Sequence, residues 1–213
     1  MGISNVNAGA LRLRWWYLFF FAAVALVIAA FSFDADVQHW IAAHQNPTAK
    51  KFMRGVSHFG DWPEHVVVGI LLASVSWACG SKRWARVFLA MIIACAIAGA
   101  AARVVKIATG RARPAAQTGA GWNGPRFSTT YNAFPSGHTA ASTAFFVTLA
   151  LASWRVGLAT LTIPALVAAS RMYVAAHFFS DVLCAALLGI ICAWAVWHRM
   201  LHAPPGEQAQ RAR

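Results

Sequence analysis

Three short runs of this sequence hold residue types that can handle a phosphoryl group. The first has Lys106, six intervening residues and then Arg113-Pro114. The second is Pro135-Ser136-Gly137-His138. The third is Ser170-Arg171, followed by His177 and then Asp181. Lys106, Arg113 and Arg171 can neutralise a phosphate and the charge that grows on it in a transition state. Ser136 offers a hydroxyl donor, and Gly137 lets the backbone come close. Because Pro135-Ser136-Gly137 precedes an apolar run, it should open a helix, whose exposed N–H groups and positive dipole end bind anions. His177 and Asp181 stand four apart, so one helical turn can bring them together. A carboxylate on one ring nitrogen would fix the tautomer and leave the other nitrogen free to attack.

The elements that must position these residues are apolar. Hydrophobic residues make up 59% of the 213 and charged ones 11%, against about 25% charged in a soluble domain. Six segments approach the length of about 20 residues that crosses a bilayer as a helix: Trp15–Phe33, His65–Cys79, Val87–Val105, His138–Trp154, Val156–Ala175 and Phe178–Trp197. The second is short and must borrow flanking residues. Pro164 should kink the fifth. Small residues recur at Ala94, Ala98 and Ala102, which lets helices pack closely in lipid. The expected architecture is an all-α, integral membrane bundle of six transmembrane helices spanning 15–197. A short N-terminus (1–14) and a tail (198–213), disordered from Ala203, flank it on the cytoplasmic side. The first segment follows Arg12 and Arg14 but is too long for a cleaved signal, so it reads as an uncleaved span.

The formal charge of +12 does not indicate nucleic acid. The basic residues punctuate apolar segments rather than forming one basic face on a soluble fold. Cys79, Cys95, Cys184 and Cys192 all lie in apolar stretches and read as packing residues, with no disulfide framework or zinc site. No cluster of acids of the kind that holds two catalytic metals is present, so neither metal nor cofactor is expected. His39, His44, His58, His65, His198 and His202 read as structural. Residues 34–64 form a long loop in which Phe52, Met53, Val56 and Phe59 share one helical face. That pattern suits a helix in the headgroup plane or one packed on the bundle.

The three runs match the pattern Lys-x6-Arg-Pro, Pro-Ser-Gly-His and Ser-Arg-x5-His-x3-Asp. They stand here as KIATGRARP at 106–114, PSGH at 135–138 and SRMYVAAHFFSD at 170–181. In this the chain resembles the type 2 phosphatidic acid phosphatase (PAP2) superfamily, which also includes haloperoxidases. The motif-bearing core covers about residues 65–197. The resemblance implies that His177 is the nucleophile and forms a phospho-histidine, with Asp181 orienting it. It also implies that His138 protonates the leaving group and later activates water. Arg111 lies outside the matched positions and is a possible further phosphate ligand; Arg103 is unassigned.

Alternating the spans puts Arg12, Arg14, Lys82, Arg83, Arg86, Arg155, Arg199, Arg211 and Arg213 on one side. The other side holds Lys50, Lys51, Arg54, Arg103, Lys106, Arg111, Arg113, Arg126 and Arg171. Setting aside the site cations Lys106, Arg113 and Arg171 leaves the excess on the side of the termini, which should be cytoplasmic. The expected protein is therefore a lipid phosphatase of a bacterial inner membrane with its site facing the periplasm. Its substrate would be undecaprenyl diphosphate, phosphatidylglycerophosphate or phosphatidic acid. Lipid A phosphate, phosphotransfer to another lipid, and non-enzymatic lipid-phosphate transport or binding are the alternatives.

Overall fold

The computed structural model describes residues 4–116 and 121–202. The tail expected to be disordered from Ala203 lies outside the described residues. The described chain is helical throughout: α1 (Ser4–Ser32), α2 (Asp34–His44), α3 (Pro47–Phe59), α4 (Trp62–Ala78), α5 (Lys82–Thr109), α6 (Gly137–Ala152), α7 (Trp154–Thr160), α8 (Thr162–Tyr173) and α9 (Phe179–Met200), with two 3₁₀ turns between α5 and α6.

Each anticipated apolar segment is helical, with informative differences at the ends. Helix α4 does borrow flanking residues, starting at Trp62 with Pro63 in its first turn and Asp61 as N-cap, whose carboxylate accepts the Trp62 N–H at 2.9 Å. Asn46 caps α3 in the same way through the Ala49 N–H at 2.8 Å. The fifth segment is not merely kinked but divided into α7 and α8 at Leu161. Pro164 explains the break: it has no N–H for the Thr160 carbonyl, and its ring crowds that carbonyl, so it fits only the first turn of a new helix. Helix α5 ends at Gly110, which takes φ +54°. A Cβ there would lie 1.9 Å from the Gly124 carbonyl oxygen, so both the left-handed conformation and the space demand glycine.

The core is built from small residues rather than large ones. Ala90, Ala94, Ala98 and Ala102 of α5 meet Ala140 and Ala144 of α6 and Ala185 of α9, all fully buried. A Cβ on Gly189 of α9 would approach the Ala140 carbonyl oxygen to 2.7 Å. Such close crossing is how helices associate when lipid supplies no hydrophobic drive between them. The large apolar side chains point outward instead: Ile70, Leu71 and Val75 on α4, Val104 on α5 and Ile191 on α9 are each more than half exposed. That inside-out pattern is suited to a bilayer and would be an aggregation liability in water.

Among the described residues, three helical stretches are long and apolar enough to cross a membrane, namely α5, α7 with α8, and α9. A fourth arises if Phe20–Ser32 and α2, bent by 52° at the intervening residue, count as one broken span. Helices α4 and α6 are apolar but shorter. The chain is a multi-pass membrane protein. Helix α3 forms as its pattern suggests and packs on α8. Met53 and Val56 are half-buried, whereas Phe52 and Phe59 face outward at 62% and 73% exposure.

Candidate active site

Backbone hydrogen bonds knit the three motif runs into one place. The Ser136 N–H donates to the Asp181 carbonyl at 3.1 Å, joining the N-termini of α6 and α9. The Ala115 N–H donates to the Ala175 carbonyl at 3.1 Å, joining the loop after α5 to the turn between α8 and α9. That turn passes through Ala175 at φ +56°, a costly conformation for a non-glycine residue. It reverses the chain just ahead of His177, whose ring is fully buried.

The cations converge as expected. Lys106, in the last turn of α5, is 9% exposed, and its Nζ lies 3.9 Å from where a Cβ on Gly137 would be. Gly137 therefore leaves open the space between the ammonium and the N-terminus of α6. Ser136 is the N-cap of that helix and is fully buried, its hydroxyl facing Thr139. The Arg171 guanidinium donates to the Ser57 hydroxyl of α3. Among the described residues three buried arginine Nε groups lack a hydrogen-bond partner: that of Arg111, whose charge two carboxylates meet, and those of Arg113 and Arg171, which pair with no carboxylate. A buried cationic donor without an acceptor is costly, so the latter two nitrogens mark where an anion would bind.

The His177 ring keeps one nitrogen free. Its Nδ1 lies 2.6 Å from the Ala133 carbonyl oxygen. A carbonyl can only accept, so Nδ1 carries the proton and Nε2 keeps its lone pair. Loss of water around the ring, then repulsion from Lys106, Arg171 and Arg113, hold its pKa well below the ordinary value; the Ala133 hydrogen bond acts weakly the other way. The imidazole is thus neutral at physiological pH, as a nucleophile requires.

Two expectations need correction in detail. The carboxylate does not make the hydrogen bond that fixes the tautomer. Asp181 Oδ2 is 3.7 Å from His177 Nδ1, beyond hydrogen-bond range, and it accepts the Phe178 N–H at 2.8 Å instead. Asp181 Oδ1 is held by Arg111 at 2.6 Å. Arg111, offered as a possible phosphate ligand, is not placed as one. It is 2% exposed, bonded to Asp181 and to Asp34, and covered by aromatic rings. Two carboxylates already satisfy its charge.

Sequence reasoning missed three contributors. Asp34, read only as part of a loop, closes on Arg111 at 2.7 Å; an acid at the end of an apolar span is itself a signal, since lipid tolerates it only when paired. Asp61, the N-cap of α4, has its Oδ1 3.8 Å from His138 Nε2. His65, read as structural, donates from Nδ1 to the Asp61 carbonyl (2.7 Å) and accepts at Nε2 from the Ser142 hydroxyl (3.2 Å), bracing α4 against α6.

The model of the PAP2 superfamily matches residues 83–203. Among solved structures, the chain is similar to the transmembrane PAP2 type phosphatidylglycerolphosphate phosphatase from Bacillus subtilis, with 20% identity, TM-score 0.66, and coverage of 89% of this chain and 96% of that one. It is also similar to LpxE from Aquifex aeolicus, with 18% identity, TM-score 0.54, and coverage of 76% and 93%. A comparison with curated protein sequences finds no match. The structural likenesses show a shared fold. The family match takes in all three motif runs and more than half of the chain, so this protein belongs to the PAP2 superfamily and is a phosphoric-ester hydrolase.

Proposed function

We propose that this protein is a six-span lipid phosphatase that works through a phosphorylated His177. The observation that carries the reading is the pair of unpartnered buried guanidinium nitrogens on Arg113 and Arg171, set with Lys106 around a neutral His177. Phosphate oxygens would take those donors, the Ser136 hydroxyl and the N–H groups that open α6. Nε2 of His177 would attack phosphorus, forming the N–P bond as the bond to the leaving oxygen breaks. His138 would protonate that oxygen and then draw a proton from the water that releases phosphate. Asp181, 3.7 Å from the ring, would offset the positive charge that the imidazole gains.

A cavity of about 540 Å³ adjoins His138 between α4, α5 and α6. Asp61, Arg103 and His138 stand at its polar end, and Cys95, Ala96 and Gly99 line its apolar part. It suits a leaving group with a polar head and an apolar tail. The six spans would be α1, α4, α5, α6, α7 with α8, and α9. The site would face the periplasm of a bacterial inner membrane. Arg111 is neutralised by its own carboxylates, so the site side carries only Lys50, Lys51, Arg54, Arg103 and Arg126 as unassigned cations. That strengthens the basic excess on the side of the termini. A reporter fused after Arg213 should read as cytoplasmic; a periplasmic reading would reverse this orientation.

Undecaprenyl diphosphate, phosphatidylglycerophosphate and phosphatidic acid are the leading substrates, and the Bacillus subtilis neighbour, a phosphatidylglycerolphosphate phosphatase by name, favours the second. The test is phosphate release by the purified protein in lipid vesicles carrying each of the three, with and without chelator. At least one lipid should be hydrolysed, chelator should leave the rate unchanged, and vanadate should inhibit as a mimic of five-coordinate phosphorus. No release from any lipid phosphate would overturn the reading. Loss of activity in chelator, restored by one metal, would overturn its metal-independent form.

A further inference from the structure

The elbow between α1 and α2 lies outside the segment that the family model matches, yet it reaches Asp181, the carboxylate beside His177, through an unbroken chain of buried hydrogen bonds. Asp34 Oδ2 accepts from Arg111 Nη2 at 2.7 Å. Arg111 Nη1 donates to Asp181 Oδ1 at 2.6 Å and to the Ser180 hydroxyl at 2.7 Å. Ser180 closes the ring by donating its N–H to Asp34 Oδ1 (2.8 Å) and its hydroxyl to Asp34 Oδ2 (2.6 Å). Asp34 thereby satisfies an N–H in the first turn of α9, a helix whose own N-cap residue is Phe178. The guanidinium is enclosed by the rings of Phe178, Trp122 and Phe31 at 4.4, 5.0 and 5.2 Å from their centroids. Asp34, Arg111, Ser180 and Asp181 are all buried.

Resting on the assignment of His177 as nucleophile, we propose that Asp34 and Arg111 are positioning residues: Asp34 fixes the guanidinium of Arg111, and Arg111 fixes Asp181 and balances its charge beside His177. A buried ion pair of this quality seldom adds stability over an apolar equivalent. What it does here is set where a carboxylate sits. With Arg111 on one oxygen and the Phe178 N–H on the other, Asp181 cannot swing onto Nδ1 and displace the Ala133 carbonyl. The arrangement also keeps the charge beside the ring defined. His177 faces Lys106 from α5, Arg113 from the following loop, Arg171 from α8 and Asp181 from α9, with Arg111 behind Asp181. Asp34, from the elbow, acts at one remove, through Arg111.

The test uses the intact protein in vesicles with whichever lipid phosphate the wild type hydrolyses. Asp34→Asn keeps the size of the side chain but turns an amide donor toward Arg111. It should lower kcat by roughly 10- to 100-fold, the scale of a small misplacement of a reacting group, with KM little changed. Arg111→Gln should lower kcat at least as far. It should also raise the acid limb of the kcat/KM profile by about one pH unit: two carboxylates without their cation favour the protonated, inactive imidazole at higher pH. Asp34→Asn removes a negative charge and should not raise that limb. Arg111→Lys should recover part of the loss. If Arg111→Gln does not fold, Asp34→Asn carries the test through its kcat and KM. Folded variants with wild-type kcat would overturn the proposal. So would a raised KM at unchanged kcat, which would make Arg111 a phosphate ligand, or a fall that only tracks the amount of folded protein with the acid limb in place. Absence of wild-type phosphate release would instead count against the lipid phosphatase reading itself.

Discussion

Alanine in place of His177 should abolish turnover of every phosphate ester, whatever its leaving group. The expected loss is about 10⁶-fold, the scale on which removing a nucleophile acts in a covalent mechanism. The structure gives the reason. The Ala133 carbonyl accepts a hydrogen bond from Nδ1–H, burial and three cations, Lys106, Arg113 and Arg171, keep the ring neutral, and the other imidazole near those cations, that of His138, is a quarter exposed and has Asp61 beside it. Substrate binding should survive, because those cations and the N-terminus of α6 do not depend on the ring. The measurement is phosphate release alongside vanadate binding in the same variant. Activity within a hundredfold of wild type would show that another group attacks.

The second large effect belongs to His138 and depends on the substrate. A lipid alkoxide is a poor leaving group without a proton, so His138→Ala should cost about 10²–10⁴-fold on a lipid monoester. Nitrophenol leaves without that help. On nitrophenyl phosphate the first step should be relatively spared, while release of the phosphate slows because water is no longer activated. A burst of about one nitrophenol per enzyme followed by a slow rate is expected. Equal losses on both leaving groups, together with a burst in His177→Ala, would mean that the two histidines have been assigned the wrong way round. Asp61, 3.8 Å from His138, is placed to stabilise the protonated acid.

How much of this was legible in the sequence differs by kind of residue. Lys106, Arg113, Ser136, His138, Arg171 and His177 were singled out because phosphate chemistry needs those types, and the structure brings their runs together. The helices themselves were legible from apolar length, and Pro164 signalled a kink, although the helix divides near it into α7 and α8. The partners of Arg111 were not legible. A sequence shows that an arginine is near a motif but not that two carboxylates, from Asp34 and Asp181, reach it first, so the residue was read as a spare phosphate ligand. The hydrogen bond to His177 was hidden for a related reason. Spacing of four residues brings Asp181 near the ring, yet the Ala133 carbonyl arrives from another loop and leaves no trace in side-chain identity. Asp61 likewise reaches His138 only through the packing of α4 against α6, which His65 braces.

The central claim is that a phosphoryl group passes through His177, and the slow second step expected of His138→Ala makes it measurable. That variant, in vesicles containing a lipid phosphate that the wild type hydrolyses, should be quenched in alkali, which preserves phospho-histidine, and digested for mass spectrometry. The account predicts one phosphoryl group per chain, on the peptide carrying His177, which disappears when His177 is also replaced. A phosphoryl group on another residue, or steady turnover of the wild type with no phosphorylated enzyme trapped in either form, would contradict it.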